Sequence, residues 1–271
     1  MRILPFVLAV VLTTATPASA KTFSELFPTT SYDDAKAQTF VSGLDYQQGE
    51  IKLPEAKATL SVPAGFYFLN AADARKVLVD SWGNPPSLAD GVLGMLFPSS
   101  MTPLDSDSWG ATITYLNEGY VADDDAKITD FDAMLSDMKE STLAGNEERT
   151  KAGYDPIKLI GWASPPYYDQ PQHKLHWAKE LKFGTAEVHT VNYDVRELGR
   201  LGVIELSFIT DVNHLTAVKA AMPNVLAMTS FDQGSRYEDF DSSIDKVAGY
   251  GIAALIGGVV PRNSACWPAC C

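Results

Sequence analysis

Three consecutive segments between Leu175 and Phe208 alternate apolar and polar side chains, and this period of two constrains the chain more than any other feature. Leu175, Trp177, Leu181 and Phe183 interleave with His176, Ala178, Glu180 and Lys182. Val191, Tyr193 and Val195 interleave with Asn192, Asp194 and Arg196, and Ile204, Leu206 and Phe208 with Glu205 and Ser207. Successive side chains of a strand point to opposite faces, so each segment has one apolar and one polar face. Short Gly-containing connections predict an antiparallel meander. Keeping the apolar faces together predicts Leu175 opposite Tyr193 and Trp177 opposite Val191, around the loop Phe183-Gly184-Thr185. The same rule places Val195 opposite Ile204 and Tyr193 opposite Leu206, around a loop containing Gly199-Arg200. The polar faces then form two rows: Lys174, Asp194 and Glu205, and beside it His176, Asn192 and Ser207. Asp194 facing Glu205 requires a cation, which Lys174 or Arg196 supplies.

The rest of the chain reads as alternating strands and capped helices. Residues 21 to 50 are polar and weakly periodic and are expected as a surface lead-in. Strands are predicted at Ala58 to Val62, Gly65 to Leu69, Gly91 to Phe97, Gly110 to Leu116 and Ile157 to Trp162. Asn70 caps a helix whose face is Ala74, Val77, Leu78 and Trp82, stopped by Gly83 and Pro85-Pro86. Thr129 and Asp130 open a second helix, lined by Phe131, Met134, Leu135 and Met138 and expected to end at Gly145. Pro165-Pro166 predicts a turn. A third helix, Asn213 to Met222, presents Leu215, Val218 and Met222, and Pro223 opens a further turn of helix. Ser242 to Val260 has a helical, increasingly apolar pattern with small-residue pairs Ala253/Gly257 and Ala254/Gly258. Its uncharged stretch, Val247 to Val260, is shorter than the roughly 20 residues of a membrane span. Without internal repeats or low-complexity linkers, residues 21–241 read as one domain.

The ends of the chain bound its compartment. Arg2, the apolar run Ile3 to Thr13 and the small residues Ala18-Ser19-Ala20 form the three parts of a cleavable export signal, residues 1–20. The net charge is −13; without Arg2 the 21 basic residues become 20 against 34 acidic ones, or −14. Such a surface repels nucleic acid and anionic headgroups, so neither is expected as a general partner. Cys266, Cys270 and Cys271 all fall in the atypical tail 261–271, so the folded body holds no disulfide and must be stabilised by burial.

Chemical signatures are sparse. HExxH, G-x-S-x-G, Walker, CxxC and GxGxxG patterns are absent, so no cofactor is expected. His173 and His176 stand three apart on a strand, hence on opposite faces, and cannot share a metal. Asp123, Asp124 and Asp125, with Glu118 upstream and Asp130 and Asp132 after them, are a candidate cation loop. They lack the EF-hand glycine and glutamate, and acids before a helix also serve as caps. The sharper candidate is the polar face of the meander, with Lys174, His176, Asn192, Asp194, Arg196 and Glu205 expected around a ligand. Trp82, Trp162, Tyr167 and Tyr168 near Pro-rich turns are candidates for stacking against a sugar or peptide.

Several longer words fix a resemblance: WGNPP (Trp82 to Pro86), LGMLFP (Leu93 to Pro98), GYVADDDA (Gly119 to Ala126), GWASPPYYD (Gly161 to Asp169), HKLHWAKEL (His173 to Leu181), NYDVRELGRLG (Asn192 to Gly202) and YGIAALIGG (Tyr250 to Gly258). Over about residues 45–258 the chain resembles the bacterial membrane-anchored proteins built on domain of unknown function 2167. The resemblance implies an exported domain on the periplasmic side of the inner membrane, followed by a C-terminal transmembrane helix and a basic tail. This chain departs from the pattern after Gly258 with PRNSACWPACC, so 242–260 reads as the remnant of an anchor. The order of elements also resembles, more loosely, the PsbP-like fold. That implies an α+β domain, an antiparallel sheet of about six to eight strands with helices on both faces. The expectation is a non-catalytic envelope module that binds a small ligand or an envelope protein. Its competitors are a hydrolase or transferase using Asp194, Glu205 and His176, and a cation-binding protein.

Overall fold

The computed structural model describes residues 19–127 and 130–257. Its framework is an antiparallel sheet of eleven strands among the described residues. In chain order these are β1 (Ser19–Lys21), β2 (Tyr46–Leu53), β3 (Ala58–Val62), β4 (Phe66–Asn70), β5 (Val92–Pro98) and β6 (Gly110–Leu116). Then come β7 (Ile157–Asp169), β8 (Lys174–Phe183), β9 (Thr190–Leu198), β10 (Val203–Asp211) and β11 (Thr229–Phe231). The spatial order is β11-β3-β2-β4-β5-β6-β10-β9-β8-β7, with β1 paired to β2. The helices are α1 (Phe23–Leu26), α2 (Ala35–Ser42), α3 (Ala71–Arg75), α4 (Phe131–Lys151), α5 (Leu215–Met228) and α6 (Ile252–Gly257).

Both faces of the sheet are covered. On one, α5 lays Val218, Met222, Val225 and Met228 on Ile113, Val195, Ile204, Leu206 and Phe208. On the other, α3 and the turn after it bury Ala74, Val77 and Leu78 against Leu69, Met95 and Phe97. Farther along that face, α4 places Met138 over Leu159 and Leu181. The expected α+β architecture with helices on both faces is present, and the sheet is larger than anticipated.

The extra strands come partly from the segment expected as a surface lead-in. Phe23, Phe27, Val41, Leu44 and Tyr46 are buried there, and their rings interlock with Tyr67. These anchors are too widely spaced to produce a period, so the composition looks polar although the segment is packed.

Two glycine and proline signals were misleading. Helix α4 runs through Gly145, where nothing lies within 4 Å of a Cβ, and ends at Lys151, just before Gly153 with φ +85°. A glycine inside a helix costs only about 1 kcal/mol relative to alanine, whereas a left-handed φ terminates it. Pro165 and Pro166 lie within β7 and make no turn. β7 is the edge strand and bulged at this point, so the missing N–H groups leave no ladder bond unmade. Similarly, Pro223 lies inside a single helix α5, which begins at Leu215, two residues after the expected Asn213.

The long C-terminal helix expected from Ser242 does not form. Residues 242–251 run through turns, with the Tyr120 backbone donating to the Lys246 carbonyl and accepting from the Ala248 N–H, and among the described residues of this stretch Ile252–Gly257 is the helical part. Gly249 and Gly251 weaken helical propagation, and the bridge to Tyr120 takes the backbone instead. No described helix is long and apolar enough to cross a membrane. Residues 258–260, the tail 261–271 and its cysteines, and residues 1–18 of the export signal lie outside the described residues.

Candidate functional site

The register of the meander decides where its polar side chains go. Leu175 stands opposite Arg196 and Trp177 opposite Asp194, three residues from the expected pairing. An odd shift exchanges faces. Glu205 stands opposite Arg196 and Ser207 opposite Asp194, an even shift that keeps faces together. Consequently Asn192, Asp194, Arg196 and Glu205 do share a face, as expected, but Lys174 and His176 lie on the other one. Ser207 lies beside the acids as expected, and Lys179 and Thr114 take the places of Lys174 and His176.

Apolar matching failed because Leu175 and Trp177 have a different cover. Both pack with Val203 of β10 and with Tyr237, Ile252, Leu255 and Ile256, brought in by the C-terminal segment. The Arg196 guanidinium also lies 4.8 Å over the Trp177 ring, a cation–π contact.

The resulting network is tightly connected. Ser207 Oγ donates to Asp194 Oδ1 at 2.5 Å, and Lys179 Nζ lies 3.7 Å from Asp194 Oδ2. Arg196 Nε contacts Glu205 Oε1 at 2.6 Å, its Nη1 lies 3.5 Å from Asp194, and Thr114 Oγ1 donates to Glu205 Oε2 at 2.8 Å. Buried charges persist only when paired in this way.

At one end of this network the sheet floor opens into a cleft of about 520 Å³. Asn192, Thr190 and Ile209 form its floor, and Asn192 is only 3% exposed. One wall is Trp82-Gly83-Asn84. Asn70 caps α3 by accepting from the Ala72 and Asp73 N–H groups, and Lys76–Ser81 continues as a wider π-type turn. The chain leaves at Gly83 with φ +69°, a conformation glycine supplies without strain. Trp82 is fixed by its indole N–H to the Pro103 carbonyl at 3.0 Å and by an edge contact with Phe97.

The opposite wall is the end of α4. The Arg149 guanidinium lies 5.5 Å from the Tyr154 ring centre and 5.6 Å from that of Phe183, and its Nε donates to the Asp155 carbonyl. Asn146 ties this helix end to β7 by exchanging hydrogen bonds with both backbone groups of Ile157. The cleft thus joins Trp82 and Asn192, two sequence candidates, with Arg149, Tyr154, Phe183 and Thr190, which sequence reasoning missed. Only the docking of two helix ends on the sheet brings these four together.

The other candidates are placed elsewhere. Trp162 is half-buried against α4 and donates to the Phe131 carbonyl. Asp123 accepts from the Tyr168 hydroxyl at 2.7 Å, in a corner where His173 stacks on Tyr237. Burial holds the Tyr168 and Tyr237 phenols well above their ordinary range. Asp125 caps α6, accepting from Ile252 N and Ala253 N, and a Cβ on Gly251 would lie 2.4 Å from its carboxylate. Asp124 lines a second cleft of about 400 Å³ beside Tyr167 and Tyr168. Among the described residues no three His, Cys, Asp or Glu side chains converge as a metal site would require.

Lys174 and His176 border a third cleft, of about 460 Å³, under α5. Burial lowers His176 to about 4, and burial raises Glu197, beside Lys174, to about 7 against the opposing pull of that lysine.

The fold and its clefts define an α+β domain with a doubly covered antiparallel sheet and ligand-sized hollows at the helix ends. The chain belongs to the protein family of unknown function DUF2167, whose model matches residues 45–264. Cyanobacterial PsbP from Synechocystis sp. PCC 6803 is similar in structure at 12% identity and a TM-score of 0.39, covering 76% of this chain and 99% of that one. The Ran-binding protein Mog1p of Saccharomyces cerevisiae is similar at 11% identity and a TM-score of 0.33, covering 67% and 94%. No curated protein matches the chain.

Proposed function

We propose that this chain is an exported, non-catalytic binding module of the bacterial envelope, and that it seats a small polar ligand in the cleft above Asn192. The observation carrying this reading is the convergence of three distant segments on one hollow of ligand size. Its aromatic rings (Trp82, Tyr154 and Phe183) and its hydrogen-bonding groups (Asn192, Thr190 and Arg149) are the mixture that holds a ring-shaped polar molecule such as a glycan unit. Export rests on the pattern of Arg2, Ile3 to Thr13 and Ala18 to Ala20. An acid–base reading of Asp194, Glu205 and His176 has less support, because the histidine lies across the sheet from both carboxylates.

The test has two arms. Soluble cell-wall glycan fragments should change tryptophan emission saturably, and Trp82→Ala should weaken binding at least tenfold while leaving the far-ultraviolet dichroism intact. Residues 1–20 fused to a reporter active only outside the cytoplasm should give activity. Binding unaffected by Trp82→Ala would remove the cleft from the proposal, and a silent reporter would remove export.

A further inference from the structure

The third cleft has a chemistry of its own. It lies on the α5 face, between the β7–β8 corner and α5, and is separate from the cleft above Asn192. Its inner end is Lys174, a lysine only 7% exposed. Lys174 Nζ donates to the Leu226 carbonyl at 3.3 Å and lies 3.6 Å from Glu197 Oε2, a buried oxygen that accepts no hydrogen bond. An ammonium carries three N–H groups, and a 3.6 Å contact is too long for a good hydrogen bond. The buried lysine therefore retains donor capacity at the cleft wall.

His176 adds to it. The ring stands edge-on to Tyr193 at 6.4 Å and 6.1 Å from Tyr167, on the same wall. Because burial keeps this imidazole neutral near pH 7, it offers an N–H without a second buried charge. The carboxylate that lines the cleft, Asp169, is already occupied by the Gln172 backbone and side-chain amides at 3.3 and 2.8 Å. Lys219 stands exposed on the α5 side. The lining charges are Lys174 and Lys219 against Asp169, a net +1 on a chain of net charge −13. Its remaining wall is apolar: Met222, Pro223 and Leu226 along α5.

We propose that this cleft binds a small amphiphilic acid, a medium-chain monocarboxylate, with its head on Lys174 and His176 and its chain along Met222, Pro223 and Leu226. Charge complementarity selects the head, since a carboxylate accepts from both donors at once. The volume, about 460 Å³, suits a small ligand and excludes a folded protein segment. The energetic gain for the protein is completion of an ammonium that the fold leaves incompletely bonded.

Calorimetry on the full chain with octanoate, octan-1-ol and octylammonium tests it. Octanoate should bind saturably, and the alcohol and the amine at least tenfold more weakly. His176→Leu should weaken octanoate at least tenfold. Lys174→Met alone leaves Glu197 without its counter-charge and endangers the fold, so the double variant Lys174→Met/Glu197→Gln is the better probe and should show the same loss. Met222→Trp should block the cleft, while Trp82→Ala in the other cleft should leave octanoate affinity unchanged. Equal affinity for octanoate and octanol would overturn the carboxylate assignment, as would full octanoate affinity in the double variant. Failure of glycan binding at Trp82 has no bearing on either outcome.

Discussion

The two faces of the meander are built from the same three alternating strands and handle charge in opposite ways. Toward α5 lies a dry apolar layer of Val195, Ile204, Leu206 and Phe208, interrupted at one corner by the pair Lys174–Glu197. Toward α3 and α4, Lys179, Asp194, Arg196 and Glu205 interlock with Ser207 and Thr114. On the second face charge is shared among several partners, although Asp194 Oδ2, like Glu197 Oε2, has only a long contact to a lysine; on the first, Lys174 and Glu197 depend chiefly on each other. Burying a charge is tolerable when its lone pairs and protons are satisfied, and otherwise shifts its protonation. Burial raises Glu197, with Lys174 pulling the other way.

The difference can be broken from either side. The largest expected effect is on the apolar face: Phe208 is fully buried, and Phe208→Ala should cost about 3–5 kcal/mol by urea denaturation, equally at pH 5 and pH 8. The titratable ring in contact with it, Tyr193, is pushed up from its ordinary 10 by burial and stays protonated across this range, so a strong pH dependence would contradict the picture of a dry layer.

Next is Lys174→Met, which should cost roughly 3 kcal/mol at pH 8 and clearly less at pH 5. The sign follows from Glu197, whose folded value is raised to about 7 from 4.5. Its folded state prefers the protonated form, so the stability it contributes is complete below pH 4.5 and is lost as pH rises through about 7. At pH 5 the carboxyl is largely neutral and depends little on the lysine; at pH 8 it needs its counter-charge. His176 works in the opposite sense: lowered to about 4, it favours the fold above its ordinary 6.5 and withdraws that support as pH falls through about 4. Comparing the variant with the parent at each pH leaves only the part of the histidine contribution that Lys174 itself exerts, the smallest of the causes acting on His176. An equal cost at both values would contradict the raised Glu197 and its dependence on Lys174.

The smallest effect concerns the lid over the charged face. Gly145→Ala, at a position where a Cβ meets nothing within 4 Å, should stabilise the protein by about 0.5–1 kcal/mol, seen as a higher Tm. Destabilisation would show that α4 depends on a kink or close approach at Gly145.

Much of this architecture could be read in advance. Asn70 as a cap, the strand Ala58–Val62 and the meander itself were legible because local patterning fixes them. Arg149, Tyr154 and Phe183 were not, since they belong to a helix end, a loop and a strand end with no common period. The lead-in strand and the broken C-terminal helix were misread for a related reason. Phe23 packs on Tyr46, Tyr46 and Phe27 pack on Tyr67 of β4, and the backbone at Val247 pairs with Tyr120.

What the sequence determined by itself was the family, the α+β class and which side chains share a face within each strand, because a period of two is a property of the backbone. Which strand faces lie together was decided only in three dimensions. The register of β8 against β9 moved by an odd number of residues once the C-terminal segment covered Leu175 and Trp177. That single shift separated Lys174 and His176 from Asp194 and Glu205, and divided one expected cluster into a bonded network and a cationic cleft.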